Sequence, residues 1–479
     1  MRRRGGAADG ARASAEAAVA DAEPRAYWLA GGGRPEEAPA LTGRRSCDLA
    51  VVGGGYSGLW TALRAKERDP SLDVVLVEAG RIGGAASGRN GGFCAATLTH
   101  GVLNGMARWP GDMLEAERLG WENLQAIGET LVRYGIDAEW EHTGEMTVAT
   151  EEWQLAELDE EAETAFELGW QPVRLSAEGA RAEVDSPTYV GGLWERDGVA
   201  LLNPAKLAWG LARACLDLGV RIHENTRVSN IRHNENGSLT LQAPHGSLTA
   251  RNVALGTGAF PPLLKSLRRY VVPVYDYAMA TEPLSAAQLA SLGWRHRQGI
   301  GDYRNQFHYY RLTADNRIVW GGHDAVYYFG NRVRPALEQR RAAFASLAEN
   351  FFTTFPQLEG LRFTHAWGGV VDTSTRFCAF FGSAYQGRLA YAAGYTGLGV
   401  GATRFGADVM LDLLGTPGAD PARTGLAMVG SKPVPFPPEP LRYGVIGLTR
   451  RGMARADRNG GRRGLWLRTL DRLNLGFSS

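Results

Sequence analysis

"CDLAVVGGGYSGLW", residues 47–60, decides the fold. An apolar strand pattern runs into Gly53, Gly55 and Gly58, spaced GxGxxG, and a helical pattern opens at Tyr56 and continues to about Glu67. Each part has a mechanical reason. Gly53 permits a tight turn, Gly55 lets the backbone approach a pyrophosphate, and Gly58 lets helix and strand pack closely. The helix N-terminus supplies N–H donors and positive potential for phosphate. The next strand, "LDVVLVEAG", ends at Glu78, twenty positions after Gly58, where a carboxylate can accept from a ribose hydroxyl. Strand, turn, helix, strand and acid in this order specify a dinucleotide site in an α/β, Rossmann-like unit.

Three further features select FAD over NAD. Downstream of Glu78, "RIGGAASGRNGG" replaces a regular crossover with an irregular glycine-rich loop, which has to lie against the cofactor. A distant "VALGTGAF" (253–260) places Gly256 and Gly258 at the end of another strand. "AAGYTGLGVGA" (392–402) adds a third strand-to-helix glycine turn. Three such turns suit a long cofactor lying across one sheet.

With these residues in place, the chain resembles the D-amino-acid oxidase/sarcosine oxidase (DAO) superfamily of FAD-dependent oxidoreductases over about residues 46–415. The "SGRNGG" run is similar to the branch that includes gamma-glutamylputrescine oxidase. The resemblance implies a Rossmann-like FAD-binding domain of the glutathione reductase type 2-like form, with an inserted α+β substrate domain on a mixed sheet. Its boundaries are expected at 46–134, 195–270 and 365–415 for the FAD domain, and at 135–194 and 271–364 for the substrate domain. Residues 1–45 are expected to be a flexible lead-in without a targeting signal, and 416–479 a C-terminal extension with a basic helix.

Carried over position by position, the resemblance gives Gly53, Gly55, Gly58 and Glu78 the ADP half of FAD. Ser87, Arg89, Asn90 and Gly91 would face the pyrophosphate or the flavin edge, and Val228 would meet the adenine through its backbone. Gly256 and Gly258 match the second glycine turn. Gly394, Gly397 and Leu398 would lie by the isoalloxazine, where a helix N-terminus stabilises negative charge.

Missing motifs narrow the chemistry. The sequence has no second GxGxxG followed by an acid, and no redox CxxxxC after the first helix. Electrons are therefore expected to come from the substrate itself. In the superfamily picture a neutral amine gives hydride to flavin N5, and the imine then hydrolyses. The expected substrate is a small amine or amino acid, and the acceptor is O₂ or a quinone or electron carrier. A quinone-linked dehydrogenase and a flavoprotein with structural, non-catalytic FAD are the two rivals.

The hairpin over 305–323, turning at Ala314–Asn316, falls where the resemblance places the active-site strand. Tyr310 is a candidate to cover the flavin or bind substrate, and Arg311 to pair a carboxylate bidentately. Adjacent strand residues point to opposite faces, so only one of the two lines the site. His323, at the end of the same strand, is a candidate to tune amine protonation, with His308 a weaker one. Trp367 reads as packing beneath the flavin domain.

Two departures from the resemblance matter. "RIVWGG" carries no lysine where the sarcosine-oxidase branch uses one for oxygen activation, so fast reaction with O₂ is not expected. Cys378 is offset from the cysteine that tethers flavin in that branch, so FAD is expected to be non-covalent.

Bulk properties exclude several other classes. The 479 residues carry 52 basic and 51 acidic side chains, for a net charge of +1, which gives no global attraction to nucleic acid. Cys47, Cys94, Cys215 and Cys378 have neither disulfide-framework nor metal-ligand spacing, so no metal site and a cytoplasmic location are expected. No apolar run approaches the ~18 residues that span a bilayer. Residues 442–472 carry nine arginines, with Trp466, Leu470 and Leu473 at i, i+4, i+7. We read this segment as a helix closing over the FAD domain, with membrane contact through its basic face as the alternative.

Overall fold

A computed structural model describes residues 12–475. Two sheets lie at its centre, and residues 1–11 and 476–479 fall outside the described part. The first sheet grows from the fingerprint. Its central strand, Gly43–Val52, is flanked in parallel by Val74–Val77 and Gly246–Leu255. Arg221–His223 and Leu389–Ala393 extend it on either side, also in parallel. Parallel strands are buried on both faces, and Leu49, Ala50, Val51 and Val74–Val77 are accordingly sealed. This is the α/β, Rossmann-like architecture expected from the glycine spacing.

Two helices cover one face of that sheet: the fingerprint helix Tyr56–Arg68 and a closing helix Gly399–Leu413. A buried charge cluster joins them. Arg68 pairs with Asp408 at 2.8 Å and Asp412 at 2.7 Å, and Arg64 reaches Asp408 at 3.0 Å. Burial alone would push the Asp408 carboxyl up, but Arg64, Arg404, Arg68 and Arg423 together hold it below its ordinary value.

The second sheet is mixed. Its strand order is Val326–Tyr327, Val272–Thr281, Ile318–Gly322, His308–Leu312, Gly299–Asp302, Glu145–Ala149, Gly191–Glu195 and Val173–Ser176. Only the Gly299–Asp302 and Glu145–Ala149 pair is parallel. Phe363–Thr373 pairs antiparallel with Val272–Thr281 along its whole length. The expected return to the FAD domain at 365 is therefore too early, because residues 365–373 belong to the second sheet. One face of this sheet packs on the helix Arg341–Thr354, with Tyr277, Met279, Ile300, Tyr310 and Trp320 between them. The other face, with Ala278, Ala280, Val319 and Trp367, joins the core of the FAD-domain helices.

Two expectations about the ends need correction. Residues 12–45 are not a flexible lead-in: Trp28 is 2 % exposed, Ala15 and Leu41 are buried, and Glu23 bridges to His365. An apolar indole inside the core outweighs the Ala- and Gly-rich composition that suggested disorder. The basic C-terminal helices, Leu441–Arg458 and Leu465–Arg472, close over the second sheet rather than the first. Asp457 accepts from the backbone N–H groups of Asn305 and Gln306, and Arg450 pairs with Asp324 at 3.0 Å. No helix among the described residues is long and apolar enough to cross a membrane.

Candidate functional site

The three glycine turns meet at one place. Gly53 has φ +113°, and a Cβ there would stand 2.4 Å from the Gly256 carbonyl, so the first and second turns touch backbone to backbone. Gly256 in turn lies against Ser57, whose hydroxyl is 3.4 Å from that of Tyr395 in the third turn. Gly55 caps the fingerprint helix and Gly58 sits in its first turn, against the Gly53 carbonyl. Gly258 and Gly397 border open space, and Leu398 caps the closing helix. Gly394 donates its N–H to Asp372 at 2.7 Å, and burial pushes the Asp372 carboxyl up to about 6 against that bond.

Glu78 stands at the strand end as expected. Its two oxygens accept from Gly54 N at 2.6 Å and Gly80 N at 2.7 Å. Burial nonetheless raises its pKa. Val228 is half-buried, two residues beyond Thr226, whose N–H bonds the Glu78 carbonyl at 2.7 Å. Two helix N-termini, a half-buried carboxylate beside the first turn and backbone turns without side chains fit a dinucleotide along this edge.

The loop "AASGRNGGF" behaves differently from its sequence reading. Ser87 faces the fingerprint helix, accepting from Tyr56 N at 2.9 Å. Asn90 is an internal brace: its amide donates to Ala86 and Ser87 carbonyls, and its oxygen accepts from Gly92 N. Arg89 pairs with Glu338 and donates to the Gly84 carbonyl at 2.8 Å, so its charge is spent at the boundary between the sheets. Gly91 lies against the Tyr309 ring. Gly92, at φ +79°, packs where a Cβ would be 2.1 Å from the Leu202 carbonyl and 2.9 Å from the Arg311 guanidinium. Gly91 and Gly92 thus allow approach to the second sheet. The loop carbonyls are held from that side. Trp28 donates to Asn90 O at 2.8 Å, Trp367 to Arg89 O at 2.8 Å, and Arg311 to Gly92 O at 3.3 Å.

The hairpin His308–Leu312 and Ile318–Gly322 forms as expected, with Asn316 at φ +60° in its turn. Its two candidates separate by face. Tyr310 points away from the cofactor loop, bonded to the Tyr189 hydroxyl at 2.7 Å and packed on Trp320. Arg311 is on the loop side but fully engaged, with Leu202 O at 2.9 Å and Leu312 O at 3.1 Å. Burial lowers its pKa to about 10. His323 (φ +68°) stacks on His308 at 5.1 Å, on the side facing Asn350 rather than the loop, and burial followed by His308 lowers its pKa. His308 itself bonds Asp302 at 2.6 Å.

Tyr309 shares the loop-facing side of this strand with Arg311. Its hydroxyl donates to Asp276 at 2.7 Å, and its ring meets Phe93 edge to face at 6.1 Å. Burial pushes the Asp276 carboxyl up to about 6, against the bond from Tyr309. The alternation of faces, applied one residue earlier, would have found Tyr309; nothing local marks Asp276. Cys378 is sealed, and burial raises its thiol pKa. All four cysteines are free.

Comparison with known proteins agrees with this geometry. The profile of the family described as FAD dependent oxidoreductase (DAO) matches residues 48–413. The chain belongs to this family. This FAD-dependent oxidoreductase is 32% identical over 399 residues to gamma-glutamylputrescine oxidoreductase of Escherichia coli, covering 81% of this chain and 88% of that one. Glycine oxidase from Geobacillus kaustophilus superposes with a TM-score of 0.65 at 21% identity, over 80% of this chain and 99% of that one. L-proline dehydrogenase from P. horikoshii gives 0.65 at 16%, over 81% and 100%. The residues at the meeting point of the three turns would hold the FAD of such an enzyme. When bound there, FAD supplies a two-electron acceptor.

Proposed function

We propose that this FAD-dependent oxidoreductase oxidises the C–N bond of an amine or amino acid. The observation that carries the reading is the Tyr309–Asp276 pair, a half-buried carboxyl and a phenol on the sheet face that abuts the cofactor loop. An amine loses electrons readily only when neutral. Asp276 receives or orients the ammonium proton, and Tyr309 holds that carboxyl in place. Phe93, packed beside Tyr309, excludes water from this side. Arg311 holds the loop by the Gly92 carbonyl and is not the carboxylate clamp. The names of the E. coli, glycine-oxidase and proline-dehydrogenase relatives support the same substrate class.

The test is anaerobic mixing of the holoenzyme with a panel of amines and amino acids. Loss of the oxidised-flavin absorbance supports the reading, and an unchanged spectrum across the panel leaves the structural-FAD rival standing. A second reading, transfer of electrons to a quinone or protein carrier, is favoured by the chain's lysines. They stand at 66, 206, 265 and 432, so none falls within the second-sheet strands. Reoxidation in air-saturated buffer is expected to be slower than with a soluble quinone. FAD is expected to leave with the supernatant on acid precipitation, as a non-covalent cofactor does.

A further inference from the structure

The basic C-terminal helices turn one side to the second sheet and leave the other in solvent. Along Leu441–Arg458 the exposed positions Leu441, Gly444, Leu448, Arg451, Arg455 and Arg458 recur at intervals of three and four, so they form one row on one face. Arg442 and Ala456, on the opposite side, are the buried residues of this helix. The helix Leu465–Arg472 repeats the arrangement in shorter form. Leu465, Arg468 and Arg472 stand in solvent at i, i+3 and i+7, and Leu467 is sealed. The two helices touch. A Cβ on Gly452 would be 3.2 Å from Leu467, and the Trp466 indole donates to the Thr449 hydroxyl at 3.0 Å. The two solvent rows thus belong to one packed unit.

Charge is concentrated in this unit. Residues 441–475 hold nine arginines against Asp457 and Asp471, a balance of +7 in a chain whose total is +1, so the rest of the chain is net negative. Both acids are engaged, Asp457 with the Asn305 and Gln306 backbone and Asp471 with Arg463 at 2.7 Å. Arg450 is taken by Asp324, and Arg442 by Asn331 and the Pro437 carbonyl. Arg451, Arg455, Arg462, Arg468 and Arg472 make no ion pair among the described residues, and Arg458 reaches only the Ala454 carbonyl of its own helix. The apolar members are as open as the arginines. Leu465 is 80 % exposed, Leu441 64 % and Leu473 59 %, and Phe329 meets Tyr443 edge to face at 5.8 Å with both rings in solvent.

We propose that this face seats the enzyme on an anionic lipid surface. Leucines and arginines interleaved on one helix row suit the boundary between acyl chains and headgroups. The leucines enter the hydrocarbon edge, and the arginine stems lie along it while their guanidiniums pair with lipid phosphates. A nucleic acid would be served by the arginines alone and has no use for open leucines at 441, 448, 465 and 473. The net negative remainder of the chain is repelled by the same surface, so docking has one orientation. No helix among the described residues is long and apolar enough to cross a membrane, so the contact is with the surface. The inner side of the first helix holds the open end of the Tyr309 hairpin, through Asp457 on Asn305 and Gln306 and Arg450 on Asp324. That end lies ~10 Å, one helix diameter, from the docked lipid.

The experiment floats the FAD-loaded full-length enzyme with vesicles of phosphatidylcholine, either pure or containing one-quarter phosphatidylglycerol. The proposal expects at least tenfold more protein with the anionic vesicles at low salt, and a fall of at least tenfold when added salt shortens the Debye length from ~10 Å to ~3 Å. Arg451→Glu with Arg455→Glu should abolish flotation. Leu448→Ser with Leu465→Ser, which keeps every arginine, should reduce it at least tenfold. Flavin content and the thermal midpoint report whether each variant folds, and Arg468→Glu with Arg472→Glu replaces the first pair if it does not. Equal recovery with both kinds of vesicle, or flotation that survives charge reversal, overturns the proposal. So does binding of duplex DNA, read by fluorescence anisotropy, at least tenfold tighter than binding of the anionic vesicles.

Discussion

Trp367 and Arg89 are joined by a hydrogen bond of 2.8 Å from an indole on the second sheet to a carbonyl of the cofactor loop. With Trp28 and Arg311, it makes the loop a component of both halves of the molecule. Trp367→Phe keeps the packing and removes the donor. It should cost about 1 kcal/mol of stability and raise the Kd for FAD, read by flavin fluorescence on titrating apoenzyme. Arg89→Ala, which also breaks the contact with Glu338, should weaken FAD retention further or slow flavin reduction. If both variants hold FAD and reduce it as the parent does, the loop is not fixed by these contacts.

Tyr309 and Tyr310 are neighbours with opposite surroundings, which makes a controlled pair. Tyr309→Phe removes the hydrogen bond that lowers the Asp276 pKa, so that carboxyl titrates higher than about 6. The acid limb of the flavin-reduction rate should move to higher pH, and the plateau should fall about tenfold or more. Tyr310→Phe removes a bond to Tyr189 within the core. It should lower Tm and leave the pH limb where it was. Identical profiles for the two variants would contradict the assignment of faces.

Asp408 is 3 % exposed and sits among Arg64, Arg68, Arg404 and Arg423. Asp408→Ala strands these guanidiniums between the fingerprint and closing helices. A loss of about 3–5 kcal/mol is expected, visible as a lower midpoint in urea and as loss of bound FAD before global unfolding. A drop of less than about 1 kcal/mol would mean that solvent reaches the cluster.

Four glutamates without an ion-pair partner among the described residues make stability depend on pH. Glu117, Glu145, Glu161 and Glu195 hold protons in the folded state up to about 7 to 8, whereas in the unfolded chain they release them near the ordinary glutamate value. Between those limits the folded state binds more protons, so stability falls as pH rises from about 5 to 8. Thermal melts of the ligand-free holoenzyme should show that decline. Glu195→Gln should flatten it.

Legibility in the sequence followed locality. The fingerprint, Glu78 and the three glycine turns were readable because each is a short motif whose mechanics are contained in a few residues. The hairpin was readable from alternation, but alternation leaves the absolute face open, and Tyr310 therefore stood where Tyr309 belongs. Asp276 gave no signal, since it meets Tyr309 only through the register of separate strands across Gly321. Trp28 was hidden by the composition around it. Burial of one indole is a tertiary fact, and the Ala- and Gly-rich residues before it say nothing of the core that receives it.

The three donors that hold the cofactor loop also set an order of events in synthesis. The loop carbonyls at 89, 90 and 92 exist early in the chain, together with Trp28, but Arg311 and Trp367 emerge much later and the third glycine turn later still. The nascent FAD-binding half therefore carries its fingerprint through most of translation with two of the loop's three anchors missing. Contacts this distant in sequence close last in folding. Flavin capture should thus coincide with release of the finished chain, and truncated products ending before Trp367 should emerge as apoprotein.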